Sequence, residues 1–344
     1  MADVTIRGAG IFGLSIAWAC VERGAKVVVV DPNGAGSGSS GGLVGALAPH
    51  TPENWNEKKA FQFESLIMAE DFWRRVDAVS GLSSGYARTG RLQPVVSEHA
   101  LNMARQRAIF ARDLWQGKAA WNVVQAGDFG NWAPKSETGF LIHDTLSARM
   151  FPRLAGASIV AALKSKGVDI LGEAPSVGPT IWATGYRGLE ELTQTRGRLV
   201  GAGIKGQSAL LAFNAAKKPQ LFADALHIVP HENGTVAIGS TSEREFDDPR
   251  ATDAQLDDVL QRAVKAFPVL ADARVLERWA GVRPRAKSRA PMLGPHPYRA
   301  GDFIANGGFK IGFGMAPKVA EVMADLVLEG KDSIPASFRP EISL

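Results

Sequence analysis

A glycine motif near the start of the chain constrains the fold more than any other feature. Gly8, Gly10 and Gly13 have the spacing G-x-G-x-x-G, between a predicted strand at Val4–Arg7 and a predicted helix at Ile11–Arg23. In this context the first glycine permits a tight turn, the second lets the backbone approach a pyrophosphate, and the third allows the helix to pack closely on the sheet. The N–H groups at the helix N-terminus favour an anion. The motif therefore predicts a dinucleotide site.

The residues after this helix complete a strand–helix–strand unit. Val27–Val30 is a continuous run of β-branched residues, which favours a parallel strand buried on both faces. Asp31 follows directly, where a carboxylate can accept hydrogen bonds from the hydroxyls of a ribose. The unit does not by itself distinguish NAD from FAD.

Chain length and the order of segments predict two interleaved domains. The chain has 344 residues, and a domain of about 150 residues is usual. Strand–helix segments lie near both ends and again near the middle, with strand-rich segments between them. We predict an α/β fold, in which a Rossmann-like domain over residues 1–50, 140–198 and 280–344 is interleaved with an α+β domain over residues 51–139 and 199–279. The second domain is expected to be built on a mainly antiparallel sheet.

Two local predictions concern the C-terminal third of the chain. Val275–Trp279 predicts a strand that leads into a basic loop containing Pro284. The last helix is predicted at Pro317–Leu328, with its proline in the first turn. The glycines from Gly307 to Gly314 precede that helix and would free the backbone to face a flat ligand.

Charge and composition exclude several classes of function. The 39 Lys and Arg residues nearly balance the 35 Asp and Glu residues, which argues against a nucleic acid partner. Cys20 is the only cysteine and the six histidines are scattered, so we expect no internal disulfide and no metal. No apolar run reaches the roughly 18 residues of a membrane span. The first residues lack the pattern of a secretory signal, so a cytoplasmic location is expected.

Several motifs, taken together, resemble the D-amino-acid oxidase (DAO) family of FAD-dependent oxidoreductases, in particular its glycine oxidase and sarcosine oxidase branches. They occur in the family's order over nearly the whole chain, at Gly8–Asp31, Ser39–Gly42, Trp182–Gly185, Gly281–Pro284 and Gly307–Pro317. The resemblance implies that the Rossmann-like domain binds FAD and that the other domain binds the substrate.

The resemblance also implies which residues bind the cofactor. These are Gly8, Gly10, Ile11, Phe12, Gly13, Asp31, Ser39, Ser40, Gly41, Gly42, Leu43, Thr184, Gly185, Gly308, Phe309, Lys310, Ile311 and Gly312. FAD is expected to be non-covalent, because Cys20 does not match the position where sarcosine oxidase attaches its flavin. The segment from Glu173 to Thr180 is shorter than in the family, so the adenine end must be covered differently.

Three residues are the candidates for substrate binding and catalysis. Arg283 matches the arginine of G-x-R-P that binds the substrate carboxylate in glycine oxidase, and a guanidinium can make two parallel hydrogen bonds to that group. Lys310 resembles the lysine of G-F-K in sarcosine oxidase and would be a second positive group. His227 lies where the glycine oxidase branch tends to carry a substrate-facing tyrosine. Weaker candidates are Ser242, Trp279 and His50.

The resemblance implies oxidation of the C–N bond of an amino acid or N-alkyl amino acid, by hydride transfer to flavin N5, giving an imine. Oxygen or another acceptor would take the electrons. The alternatives are an FAD enzyme acting on a larger amine such as a modified tRNA base, an NAD(P)-dependent dehydrogenase, and a flavin-binding protein without turnover. A further alternative is a hydrolase, because residues 38–42 also match G-x-S-x-G.

Overall fold

The computed structural model describes residues 3–344 and contains two large β-sheets, a short ribbon and seven helices. The helices are α1 (Ile11–Glu22), α2 (Glu57–Ser80), α3 (Glu98–Leu114), α4 (Pro152–Ser165), α5 (Gly185–Arg196), α6 (Ala254–Ala266) and α7 (Gly312–Glu329). The strands are β1 (Val4–Arg7), β2 (Val27–Val30), β3 (Gly45–Leu47), β4 (Arg91–Pro94), β5 (Trp121–Gln125), β6 (Phe140–Asp144), β7 (Ala148–Met150), β8 (Ile170–Leu171), β9 (Thr180–Trp182), β10 (Gly201–Ala212), β11 (Gln220–Ala223), β12 (Leu226–Pro230), β13 (Thr235–Gly239), β14 (Val275–Ala286), β15 (Met292–Pro295) and β16 (Phe303–Asn306). Within residues 3–344, no helix has a stretch long and apolar enough to cross a bilayer.

The smaller sheet is the predicted Rossmann-like sheet. Its strand order is β15-β16-β9-β1-β2-β8, and every neighbouring pair is parallel except β15 with β16. Helix α1 is buried along almost its entire length, because its apolar residues face the sheet on one side and α7 on the other. An apolar helix of this kind is typical of the interior of a large fold.

The larger sheet has the order β14-β10-β13-β12-β11-β4-β6-β5 and is antiparallel apart from the pair β11 and β4. This confirms the prediction of a mainly antiparallel second sheet. Its outer face is apolar and packs on α6, as shown by Leu221, Ile228 and Ile238 in one cluster with Leu256 and Val259. The inner face therefore points toward the smaller sheet. The domain boundaries stay a prediction, and strands β6 and β14 of the larger sheet fall on or across two of them.

The predicted basic loop after Trp279 is wrong. Strand β14 continues to Ala286, and its register places Arg283 beside Ile204 and Pro284 beside Gly203. Because β14 is the edge strand, the missing N–H of Pro284 costs no ladder hydrogen bond. The proline therefore does not end the strand.

The predicted start of the last helix is also wrong. Helix α7 begins at Gly312, and Pro317 lies inside it rather than in its first turn. Glycine has a low helix propensity, but tertiary packing overrides it here. Residues of α1 and α2 pack against α7 in one apolar cluster, which offsets the low helix propensity of its first glycines.

Burial of His231 makes the stability of the fold depend on pH. Its ring stacks on Phe151 with 4.2 Å between centroids, and burial lowers its pKa from 6.5 to about 4. In the unfolded chain His231 takes up a proton near pH 6.5, whereas in the folded chain it stays neutral until about pH 4. The contribution of neutral His231 to the free energy of unfolding is therefore present above pH 6.5 and is lost as the pH falls toward 4. We expect His231→Gln to reduce the loss of unfolding free energy between pH 7 and pH 5 by about 2 kcal/mol.

Urea titrations at both pH values measure this difference. His99→Gln, which removes an exposed imidazole from α3, is the matched control. Equal pH dependence in wild type and His231→Gln would contradict the prediction.

Candidate active site

A cavity of about 780 Å³ lies between the two sheets. The carboxyl ends of β1, β2 and β9 open into it, which is where ligands bind in open α/β sheets. The inner face of β14 and the segment Gly307–Phe313 form the opposite part of the wall. The cavity is long enough to bring the glycine motif and Arg283 into one site.

Helices α1, α5 and α7 begin at this cavity, and within residues 3–344 the only side-chain acceptor at these starts is the Ser40 hydroxyl, which binds the first N–H of α1. The N-caps of α1, α5 and α7 are Gly10, Thr184 and Ile311, and no side chain of these residues accepts a hydrogen bond from the helix that follows. Away from the cavity, α2, α3 and α6 are each capped by a side chain. Uncapped N–H groups and the positive ends of helix dipoles favour negative charge. The site therefore suits a ligand with a diphosphate.

The three motif glycines have separate roles. A β-carbon on Gly8, whose φ is +107°, would overlap the carbonyl oxygen of Ala183, and one on Gly13 would overlap that of Gly8. Gly10 is different, since its nearest neighbour would be the Ser40 hydroxyl at 3.3 Å. Gly8 and Gly13 thus hold the turn, while Gly10 leaves space beside the cavity for a ligand.

Asp31 and Ser40 fix the loops around this space. Asp31 accepts hydrogen bonds from the backbone N–H groups of Ala9 (2.8 Å) and Asn33 (2.9 Å). Ser40 accepts one from the N–H of Ile11 at 2.9 Å. Asp31 also lines the cavity, so its remaining lone pairs are available to a ribose.

Most of the predicted cofactor residues line the cavity. Those that do are Gly8, Gly10, Ile11, Phe12, Asp31, Ser39, Ser40, Gly42, Leu43, Thr184, Gly185, Gly308, Phe309, Lys310 and Gly312, and those that do not are Gly13, Gly41 and Ile311. Their assignment to FAD stays a prediction.

Arg7, which the sequence analysis missed, covers the end of the cavity beside the shortened segment. Its guanidinium donates to the carbonyl of Ala174 (3.1 Å) and the hydroxyl of Ser176 (3.0 Å). It also lies over the ring of Trp182, 5.5 Å from the centroid. The short segment from Glu173 to Thr180 could have pointed to such a replacement.

Arg283 lies on the inner face of β14 and lines the cavity. One Nη donates to the hydroxyl of Ser240 at 2.7 Å, and the other is 3.4 Å from the carbonyl of Thr241. Burial lowers the pKa of Arg283 to about 10, partly opposed by the charge of Glu243. Within residues 3–344 Arg283 has no ion-pair partner, so it is a positive charge available to an anionic ligand.

Lys310 precedes α7 and is open to the cavity. Burial of the ammonium and the nearby charge of Arg283 both lower its pKa. No carboxylate in residues 3–344 forms an ion pair with Lys310. The structure therefore brings together the two cations that the sequence analysis selected.

His227 lies on the inner face of β12 but does not line the cavity. Its pKa is lowered to about 3 by burial and by the charges of Arg91, Lys310 and Arg283. Its Nδ1 is buried and has no hydrogen-bond partner among residues 3–344. His227 is thus neutral at physiological pH and remains a candidate for hydrogen bonding rather than for proton transfer.

Of the weaker candidates, only Trp279 lines the cavity. It packs against Gly42, where a β-carbon would lie 3.1 Å from the indole. His50 is held by Gln62, and Ser242 is exposed. Ser39–Gly41 forms a 3-10 turn that is not preceded by a strand and leads into β3 rather than a helix, so the hydrolase interpretation is wrong.

The fold and this site define a flavoprotein oxidoreductase. The sequence profile described as "FAD dependent oxidoreductase" (DAO) matches residues 3–326, and the chain belongs to this family. FAD is the cofactor of the family, which confirms the predicted resemblance and makes the NAD(P) alternative wrong.

Among proteins of known function, the chain is similar in sequence to ThiO/ThiG proteins and glycine oxidases. The chain is 27% identical to the bifunctional protein ThiO/ThiG of Trichormus variabilis over 96% of its length, but it spans only 53% of that relative. It is 24% identical to the glycine oxidase of Geobacillus kaustophilus over 94% of this chain and 92% of the relative.

Solved structures show the same fold. The crystal structure of glycine oxidase from Geobacillus kaustophilus has a TM-score of 0.84 at 20% identity, covering 98% of both chains. Iminodiacetate oxidase from a Chelativorans species has a TM-score of 0.85 at 22% identity, again covering 98% of both chains.

The environment of Cys20 argues against covalent attachment of FAD to this residue. The thiol is buried on α1, and burial raises its pKa to about 12, so it is not a reactive thiolate. We expect acid precipitation of the flavin-loaded protein to leave all the yellow colour in the supernatant. Colour that stays with the pellet, and resists washing in denaturant, would contradict a non-covalent cofactor.

Proposed function

We propose that this protein oxidises the C–N bond of an amino acid or N-alkyl amino acid to an imine. The observation that carries the proposal is the pair of unneutralised cations, Arg283 and Lys310, at one cavity with the cofactor segments. A planar guanidinium held by Ser240 can make two parallel hydrogen bonds to a carboxylate. The lysine adds a second charge to the same anion.

The role of the protein is mainly orientation. A carboxylate fixed by Arg283 limits how the α-carbon can turn, and orientation of this kind supplies a large part of the rate in many enzymes. FAD, when bound, supplies the acceptor for the hydride and its two electrons. The N-terminus of α7 stabilises negative charge at this end of the cavity.

No strong base is required at this end. The carboxylates that line the cavity within residues 3–344 are Asp31 and Glu191, and both belong to its dinucleotide end. His227 has its pKa lowered to about 3. An amine that binds without its proton needs no such group, because the nitrogen lone pair assists loss of the hydride and water then hydrolyses the imine.

The names of two similar proteins support this choice. Glycine oxidase and iminodiacetate oxidase are named for compounds that carry a carboxylate one carbon from the amine. The same arrangement suits a cavity with cations at one end.

The test is the visible spectrum of the purified protein during anaerobic addition of amino acids and N-methyl amino acids. Bleaching of the flavin bands by members of this panel is the expected result, and readmission of oxygen then shows whether oxygen is the acceptor. Flavin bands that no small amine bleaches would overturn the proposal and favour a larger amine such as a modified tRNA base.

A further inference from the structure

The inner face of the larger sheet carries a row of cross-strand neighbours that extends beyond the proposed carboxylate site. Cross-strand pairing places Trp279 beside Ser208, Ser208 beside Gly239, and Gly239 beside His227. Phe222 is the next residue in this row. The row therefore leads from the strand of Arg283 across the sheet toward β4.

Arg91 lies at the far end of this row. Its guanidinium is 5.8 Å from the ring centroid of Phe222, whose ring is 4.7 Å from that of His227. Arg91 also contributes to the lowered pKa of His227, together with Lys310 and Arg283. Three positive groups thus lie near enough to His227 to lower its pKa.

Polar atoms without partners point to a ligand here. Arg91 uses its Nε to donate to Asp144 at 2.9 Å, and neither Nη makes a hydrogen bond within residues 3–344. Two buried nitrogens on the same face, Nδ1 of His227 and Nε2 of Gln93, have no partner in this part of the chain. Buried polar groups are normally hydrogen-bonded, so unpaired ones require an explanation.

The charges around the cavity support the same conclusion. Asp144 balances Arg91, and Glu243 is 3.5 Å from Lys205, so those pairs are formally neutral. At the end of the cavity near β14, Arg283 and Lys310 have no ion-pair partner within residues 3–344 and contribute two positive charges. A monocarboxylate with a neutral amine would bring one negative charge, whereas a dicarboxylate brings two and neutralises the site.

We propose that Arg91, with Gln93 and His227, forms a second carboxylate subsite, and that the substrate is an amino or imino diacid. Arg283 and Lys310 hold the carboxylate next to the amine, and the Nη groups of Arg91 receive the other. This inference rests on the proposed amine oxidation and names its substrate class.

The first test uses the flavin-loaded wild-type protein and acids that lack an amine. Perturbation of the flavin spectrum should show that malonate, succinate or glutarate binds at least about tenfold more tightly than acetate. Affinities for all three diacids within about threefold of acetate would overturn the subsite. This measurement does not depend on turnover, so it remains decisive even if no amine reduces the flavin.

The second test compares matched substrates under anaerobic conditions. Aspartate or iminodiacetate should bleach the flavin with an efficiency about 100-fold above that of asparagine, glycine or sarcosine. If the monoacids are as efficient as the diacids, the subsite inference fails while amine oxidation stands. If neither kind bleaches the flavin, amine oxidation itself fails.

The third test removes Arg91. Because Arg91→Gln alone leaves Asp144 as an unpaired buried charge, the variant to use is Arg91→Gln with Asp144→Asn. Its preference for succinate over acetate should fall to within about threefold, and Arg91→Lys should keep part of that preference. Arg88→Gln is the control, since Arg88 donates only to backbone carbonyls of Thr145 and Lys118. A preference that survives in the double variant would contradict the assignment to Arg91.

Discussion

Replacement of Arg283 by alanine is expected to lower kcat/KM for carboxylate substrates about 10³-fold while FAD remains bound. The guanidinium lines the cavity and has no ion-pair partner in residues 3–344, so the change leaves the substrate anion without its main donor. Loss of one partner from a buried charged hydrogen bond costs about 4 kcal/mol, which corresponds to this factor. Steady-state kinetics measure kcat/KM, and the flavin absorbance of the purified variant measures how much FAD remains bound.

Two further variants test whether the effect depends on the position of the Arg283 guanidinium. A β-carbon at residue 206 would overlap the guanidinium, so Gly206→Ala displaces Arg283 without removing its charge, and KM should rise by about tenfold or more. Arg262→Ala removes an arginine bound to Asp224 on the outer surface and should leave the kinetics unchanged. Wild-type kinetics in Arg283→Ala would refute the carboxylate-binding role.

The second large effect separates folding from cofactor binding within one motif. Gly13→Ala should destabilise the protein by about 3 kcal/mol, because the new methyl group overlaps the carbonyl of Gly8 in a packed turn. Gly10→Val should instead leave unfolding of the flavin-free protein nearly unchanged and weaken FAD binding about 100-fold or more. Its side chain enters the space beside the cavity, and its nearest neighbour is Ser40.

Thermal unfolding without flavin and FAD titration by fluorescence quenching measure the two quantities. Gly156→Ala in α4 is the control, since its β-carbon meets nothing within 4 Å. Equal losses of stability in Gly10→Val and Gly13→Ala would show that the two glycines do not have separate roles.

The sequence predicts the local parts of this structure well and the long-range parts poorly. The β-branched run Val27–Val30 and the spacing of Gly8, Gly10 and Gly13 act over a few residues, and the strands and turn they predict are present. The sequence predicts that strand β14 ends at Trp279, because Pro284 suggests a loop, and only the order of the sheet shows that β14 occupies an edge.

The same limit applies to the site. Short motifs predict Arg283 and Lys310, whereas Arg7 and Arg91 lie outside any motif and reach their positions through strand pairing. Helix α7 begins before Pro317 because α1 and α2 pack on its glycine-rich first turns. Such contacts join residues far apart in sequence, which no local pattern encodes.

The uncapped starts of α5 and α7 have a consequence for the lifetime of the protein. N–H groups that are left without a side-chain cap are a local weakness until a ligand accepts their hydrogen bonds. Since a ligand that binds only the folded state adds its binding free energy to stability, FAD at 100 times its Kd stabilises the fold by about 2.7 kcal/mol. Proteases act on the unfolded fraction, so the protein should be degraded more slowly with FAD bound than without it.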